Sequence, residues 1–199
     1  MIEIVAGIDI GGTNTVICLV TKSGDCLIET TISTRNHSNF EAFIDALSLK
    51  IKTLHNHIGI DNYTLKGVGI GAPNGSFRLG SIVDAPNLEW KGSLPICNEI
   101  TKQLQLPAIV TNDANAAALG EMLFGGAKGM KDFIVITLGT GLGSGIVTNG
   151  KLVIGHDGFA GELGHTVVEI NGRMCGCGNK GCLETYASAT GIKRTVFAQ

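Results

Sequence analysis

The chain has 199 residues, 44% of them hydrophobic and 16% charged, with 29 glycines. Charged residues fall well below the roughly 25% of ordinary soluble domains; the apolar content excludes disorder, and the lack of a three-residue glycine period excludes collagen. Fifteen basic against seventeen acidic residues leave a net charge of −2, which offers no field for nucleic acid or an anionic membrane.

Residues 3–10 (EIVAGIDI) are β-rich and end at Gly11-Gly12. Strand patterns resume at 15–20 and 26–32 around the turn TKSGD. From about Asn39 to His57 the residues Phe40, Phe43, Ile44, Leu47 and Ile51 recur at spacings of three and four, which predicts a helix. Residues 66–71 read as a buried strand stopped by Ala72-Pro73-Asn74-Gly75. A short helix is expected near Ile96–Leu104, a strand over Ala108–Thr111, and an alanine-rich helix from Asn112-Asp113 to about Phe124. The pattern then restarts: a strand at 132–138, the turn Gly139-Thr140-Gly141-Leu142-Gly143, a strand at Ser144–Thr148, a tight Asn149-Gly150 turn and a strand over Lys151–Ile154. A short helix near Leu183–Ala187 and the start of another from Ser188 or Thr190 close the chain.

This order is α/β, and its repetition predicts two related lobes, 1–115 and 116–199. The second lobe is expected to be incomplete, its sheet bare on one face until a partner chain or further sequence covers it. No run approaches ~20 apolar residues, so no membrane span is expected. The N-terminus lacks the basic region of an export signal. Cys18, Cys26 and Cys97 are expected to pack singly as small apolar side chains. Cys175, Cys177 and Cys182 are an awkward number for closed disulfides and fit a metal site in a reducing cytoplasm.

A strand–glycine–strand turn lets backbone N–H groups approach an anion with no Cβ in the way. Asp9, just before Gly11-Gly12-Thr13, sets a carboxylate where phosphate-bound Mg²⁺ would sit. The second turn repeats the arrangement. Asp113 lies where a strand ends and a helix starts; there it is either an ordinary helix cap or a base for a hydroxyl proton in phosphoryl transfer. Asn112 beside it could hold a neighbouring hydroxyl. His165 with Cys175, Cys177 and Cys182 completes a tetrahedral zinc shell with no open position, which marks a structural site. Zinc joining those segments would gather Glu162, His165 and Glu184 on one wall suited to adjacent hydroxyls.

Together these residues resemble the ROK family of sugar kinases and repressors, within the actin/hexokinase-like ATPases. The resemblance is carried by Asp9-Ile-Gly-Gly-Thr-Asn14, Gly71-Ala-Pro-Asn-Gly75, Ala85-Pro-Asn-Leu-Glu-Trp90, Asn112-Asp-Ala-Asn-Ala116, Leu138-Gly-Thr-Gly-Leu-Gly143, Gly161-Glu-Leu-Gly-His165 and the cysteine segment through Glu184. It implies a two-lobed actin/hexokinase-like (ribonuclease H-like) fold with the second lobe incomplete. It implies ATP-dependent phosphorylation of a hexose, glucose at O6, with Asp113 as general base. The implied sugar contacts are Asn112, Glu162, His165 and Glu184, with Asn74 and Asn87 on neighbouring loops. Asp9, Gly11, Gly12, Thr13, Thr140 and Gly141 would face Mg²⁺ and the ATP phosphates, while His165, Cys175, Cys177 and Cys182 hold zinc. A cytoplasmic homo-oligomer, a dimer, is expected, with no nucleic-acid or membrane partner. The alternative is a non-catalytic sugar-binding or sensing fragment. Only eight residues precede Asp9, too few for the repressors' DNA-binding helices, so a repressor is not expected.

Overall fold

Alternating burial along Ile2–Ile10 (β1) and Asn14–Thr21 (β2) turns Ile4, Ala6, Ile8, Ile10, Ile17 and Leu19 into one core, as period-2 strands require. The computed structural model describes residues 1–156 and 158–197, so Ala198 and Gln199 of the expected second lobe lie outside the described residues. It divides into two units, Met1–Asp113 and Ala114 onward.

The first unit is built on a five-stranded sheet in the order β3-β2-β1-β4-β8, with β3 Cys26–Ser33, β4 Tyr63–Ala72 and β8 Ala108–Asn112. β1, β2 and β3 run antiparallel; β1, β4 and β8 run parallel. Parallel neighbours need crossovers. The helices α1, Phe40–Ile58, and α2, Ile96–Leu104, lie in those connections. The predicted apolar stripe of α1 is buried, Phe43, Ile44, Leu47 and Ile51 all being at most 1% exposed. Asn39 caps α1 by accepting the Ala42 N–H at 2.8 Å. Replacing Asn39 with Ala is expected to cost about 1 kcal/mol, measurable by urea unfolding. The sequence did not signal the small sheet of β5 (Gly75–Ser76), β6 (Ser81–Val83) and β7 (Ser93–Leu94), whose two- and three-residue strands are too short to show a period.

One expectation is corrected. Cys18 and Cys26 do not pack singly: they are joined as a disulfide, with Cα atoms 6.1 Å apart. β2 and β3 form a hairpin with an irregularity at Leu19/Val20, which brings Cys26 opposite Val20 and within reach of Cys18. Cys97 is a free, buried thiol as expected.

In the second unit, the helix α3 (Asp113–Leu123) leads to β9 (Phe133–Leu138), β10 (Leu142–Thr148) and β11 (Lys151–Leu152), paired antiparallel in the order β11-β10-β9. Every second residue of β9, namely Ile134, Ile136 and Leu138, stays exposed, the bare apolar face expected of this sheet. A 3₁₀ turn at Leu163–His165, α4 (Glu184–Ala187) and α5 (Ala189–Phe197) follow. Among the described residues no helix is long and apolar enough to cross a membrane.

Candidate functional site

In the first unit the parallel register sets the site. Asp9 pairs with Gly71, Gly71 with Thr111, and Ala72 with Asn112. Asp9 and the Thr111-Asn112-Asp113 segment therefore share the carboxyl ends of neighbouring parallel strands, where open α/β sheets collect ligands. Asp9 is solvent-exposed, yet its carboxyl is raised above the ordinary value, first by partial loss of hydration and then by the charge of Asp113. A neighbouring carboxylate thus disfavours ionisation of Asp9, as like charges do.

The Gly11–Asn14 turn closes above them. Gly11 N–H donates to Asn14 O at 2.9 Å, and Thr34 N–H donates to Thr13 O at 2.8 Å. A Cβ on Gly12 would stand 2.6 Å from Asn87 O, so the Ala85–Trp90 loop lies directly against this turn. Asn87 is thus beside the glycines. Asn74 is otherwise engaged: its Nδ2 donates to Val83 O at 3.0 Å and Asp84 O at 3.4 Å, tying the small sheet together. Sequence reasoning missed Arg35, whose Nε donates to Gly12 O at 3.1 Å. One exposed arginine after a strand gives no local signal.

The raised Asp9 carboxyl has a consequence for stability. The folded chain holds that proton more tightly than the unfolded chain, so ionisation of Asp9 removes stability as pH rises from the ordinary value of about 3.9 through the folded pKa. Asp9→Asn is expected to melt at a higher temperature than wild type at pH 7. The difference should vanish below about pH 4, as calorimetric scans at the two pH values would record.

In the second unit, the pairing of Leu138 with Leu142 closes the glycine turn, and Gly139 N–H donates to Gly141 O at 3.0 Å. Ser144, another residue the sequence did not reveal, fixes the loop that follows. Its Oγ donates to Gly161 O and accepts the Leu163 N–H. His165 N–H donates to Glu162 O at 3.1 Å, so the 3₁₀ turn sets Glu162 and His165 at its two ends.

The segments 166–168 and 181–183 run antiparallel, through Val168 N–H to Gly181 O at 2.8 Å and Leu183 N–H to Thr166 O at 2.9 Å. A tight knuckle, with Cys175 N–H to Asn179 O at 2.9 Å and Gly178 N–H to Cys175 O at 3.1 Å, turns the cysteines inward. One donor atom each from His165, Cys175, Cys177 and Cys182 then falls within 4.8 Å of the others. Cys177 Sγ and Cys182 Sγ are 3.7 Å apart, and Cys175 Sγ is 3.6 Å from His165 Nδ1. A tetrahedral zinc with Zn–S of about 2.3 Å and Zn–N of about 2.05 Å needs S–S edges of about 3.8 Å and S–N edges of about 3.6 Å. The donor set fits that ion and leaves His165 Nε2 for another partner.

Without a metal the thiols compete. Burial pushes Cys175 up to about 12, and burial also raises Cys182. The Asn179 N–H holds exposed Cys177 below the ordinary thiol value. Arg173 braces the knuckle: its guanidinium donates to Thr185 O at 2.8 Å and Gly191 O at 3.1 Å, and stacks 4.7 Å from the Tyr186 ring centre. Glu184, an implied sugar contact, also meets the glycine turn: its Oε2 accepts the Leu142 N–H at 3.0 Å.

Residues 5–199 match the model of the ROK family. The glucokinase of Halalkalibacterium halodurans is 42% identical over 195 residues, covering 94% of this chain and 57% of that protein. The crystal structure of a ROK family glucokinase from Streptomyces griseus, in complex with glucose and AMPPNP, superposes with a TM-score of 0.81 at 37% identity, over 96% of this chain and 59% of that one. A ROK family transcriptional regulator, a homologue of the E. coli MLC protein, superposes with a TM-score of 0.86 at 31% identity, over 98% of this chain and 49% of that one. The chain thus spans about half to three fifths of the length of these relatives, and its α/β fold is the actin/hexokinase-like one of those glucokinases.

Proposed function

The chain belongs to the ROK family, and on that footing we propose that it is an ATP-dependent hexose kinase that phosphorylates glucose at O6. The observation that carries this reading is the parallel register that puts Asp9 and Asp113 at the carboxyl ends of the two strands flanking β4, beside a glycine turn. A relative of the same fold was solved with glucose and AMPPNP, which supports a sugar and a nucleotide as the two ligands.

Asp113 accepts the O6 proton as the new O–P bond forms and the bond from the γ-phosphorus to the bridging oxygen breaks, with ADP as the leaving group. Asn112 holds an adjacent hydroxyl, and Asn87, beside Gly12, meets the same substrate. Backbone N–H groups of Gly11, Gly12 and Thr13, and of Thr140 and Gly141, face phosphate oxygens. Asp9 would hold Mg²⁺, directly or through water, and the ion would supply positive charge to screen the phosphates. In the second unit Glu162 and His165 Nε2 meet further hydroxyls. His165 Nδ1, Cys175, Cys177 and Cys182 hold structural zinc, which fixes the imidazole's orientation.

Coupled ADP release with glucose, mannose, fructose and N-acetylmannosamine tests the reading. Turnover that depends on both ATP and one of these sugars is expected. A second reading, a sugar-binding protein without turnover, is favoured by the match to a ROK regulator at a TM-score of 0.86. Calorimetric sugar binding with no ATP binding and no ADP release would decide for it.

A further inference from the structure

Glu184 joins two features of the second unit that the proposed function treats separately. Its Oε2 accepts the Leu142 N–H at 3.0 Å, while its Oε1 lies 3.5 Å from Cys175 Sγ. One carboxylate therefore holds the glycine turn and borders the His/Cys group; because zinc binding removes the Cys175 thiol proton, the link that persists in the loaded chain is the ordered run from Cys182 to Glu184. A Cβ on Gly141 would overlap the same Oε2, so the turn is shaped around this side chain. The other end of the turn is fastened to the same segment, since Ala189 N–H donates to Gly139 O at 3.0 Å. Between the buried Cys182 and Glu184 there is no loose joint: Thr185 N–H and Oγ1 both donate to Cys182 O, at 2.9 and 2.7 Å.

The geometry points to Glu184 as a positioning residue for the second glycine turn, coupling the order of Gly139–Gly143 to metal occupancy of the His165, Cys175, Cys177 and Cys182 group. Glycine-rich backbone loses the most conformational freedom on ordering. Anchoring it at both ends before a ligand arrives lowers what binding must supply. The inference rests on the proposed kinase reading only in taking this turn to face nucleotide phosphates. It gives Glu184 a role that a hydroxyl contact alone would not require.

Backbone hydrogen exchange of the full zinc-loaded chain tests it without reference to activity. Chelating the zinc is expected to speed exchange at Leu142 by about tenfold or more. Glu184→Ala should do the same while still binding one zinc per chain, and chelating that variant should add little at Leu142. Wild-type exchange at Leu142 in Glu184→Ala, or after chelation of the wild type, overturns the coupling. If Glu184→Ala fails to fold, Gly141→Ala displaces the carboxylate instead. It is expected to speed Leu142 exchange and to raise KM for Mg·ATP more than KM for glucose; unchanged exchange again overturns the inference. Coupled exchange in a chain without kinase activity would leave the inference standing and remove only the functional reading.

Discussion

Asp113→Asn is expected to lower kcat for hexose phosphorylation by about 10²- to 10⁴-fold, the usual contribution of a general base, while glucose still binds. The amide keeps the size of the carboxylate and, like it, suits the first turn of a helix, so α3 should start where it does now. What is lost is the capacity to take a proton. KM for glucose should change little, because the interaction removed matters only as the O6 proton departs. A second signal comes from Asp9. The charge of Asp113 is one of the two causes that raise the Asp9 carboxyl, so its removal should bring the Asp9 titration down towards the ordinary value, as carbon-detected NMR would follow. ADP release within a few-fold of wild type would remove Asp113 from the mechanism, whatever Asp9 does.

The second large effect concerns the metal group. Stripping zinc, or replacing fully buried Cys182 with Ser, is expected to unfold the loop from His165 to Glu184 and to abolish glucose binding. Structural zinc supplies about 10–16 kcal/mol of apparent binding free energy in small peptides, comparable with the whole stability of an ordinary domain, about 5–15 kcal/mol. Among the described residues the loop has no regular strand pairing of its own: it is held by the isolated pairs Val167–Cys182 and Met174–Lys180, by short backbone bonds such as Val168 N–H to Gly181 O and Gly181 N–H to Arg173 O, and by the Arg173 brace. Released zinc would be counted with a chromogenic chelator, and glucose affinity measured by calorimetry before and after. Each ligand must be deprotonated to bind, so zinc affinity should also fall as pH is lowered. Full glucose affinity in the stripped protein would show that the metal does not shape a sugar site.

The bare face of β9 bears on how both experiments are handled. Ile134, Ile136 and Leu138 present exposed apolar side chains on one strand, a surface that invites association between chains. Concentration series should therefore accompany each binding measurement.

Much of the candidate site was legible because its signals are local. The α1 stripe, both glycine turns and the Cys175–Cys182 spacing each sit within one short window, where periodicity, turn chemistry and ligand spacing act. The strand–glycine turn–strand order, repeated at β1–β2 and β9–β10, could be read for the same reason. Asn74 shows the limit of this: the family resemblance implied a loop near the sugar, but only the fold shows its Nδ2 donating to Val83 and Asp84. Arg35, Ser144 and Arg173 gave no signal, since each works through a backbone carbonyl 12 to 23 residues away in sequence.

By itself, then, the sequence determined the kinds and order of the longer elements, the glycine turns and the spacing of the His/Cys group. These depend on interactions between residues a few positions apart. Only the tertiary structure decided that Asp9 stands level with Gly71 and Thr111, that Cys18 meets Cys26, and that Glu184 holds Leu142. Strand register and side-chain meeting points between distant segments are fixed by burial of the whole core, which no local pattern encodes.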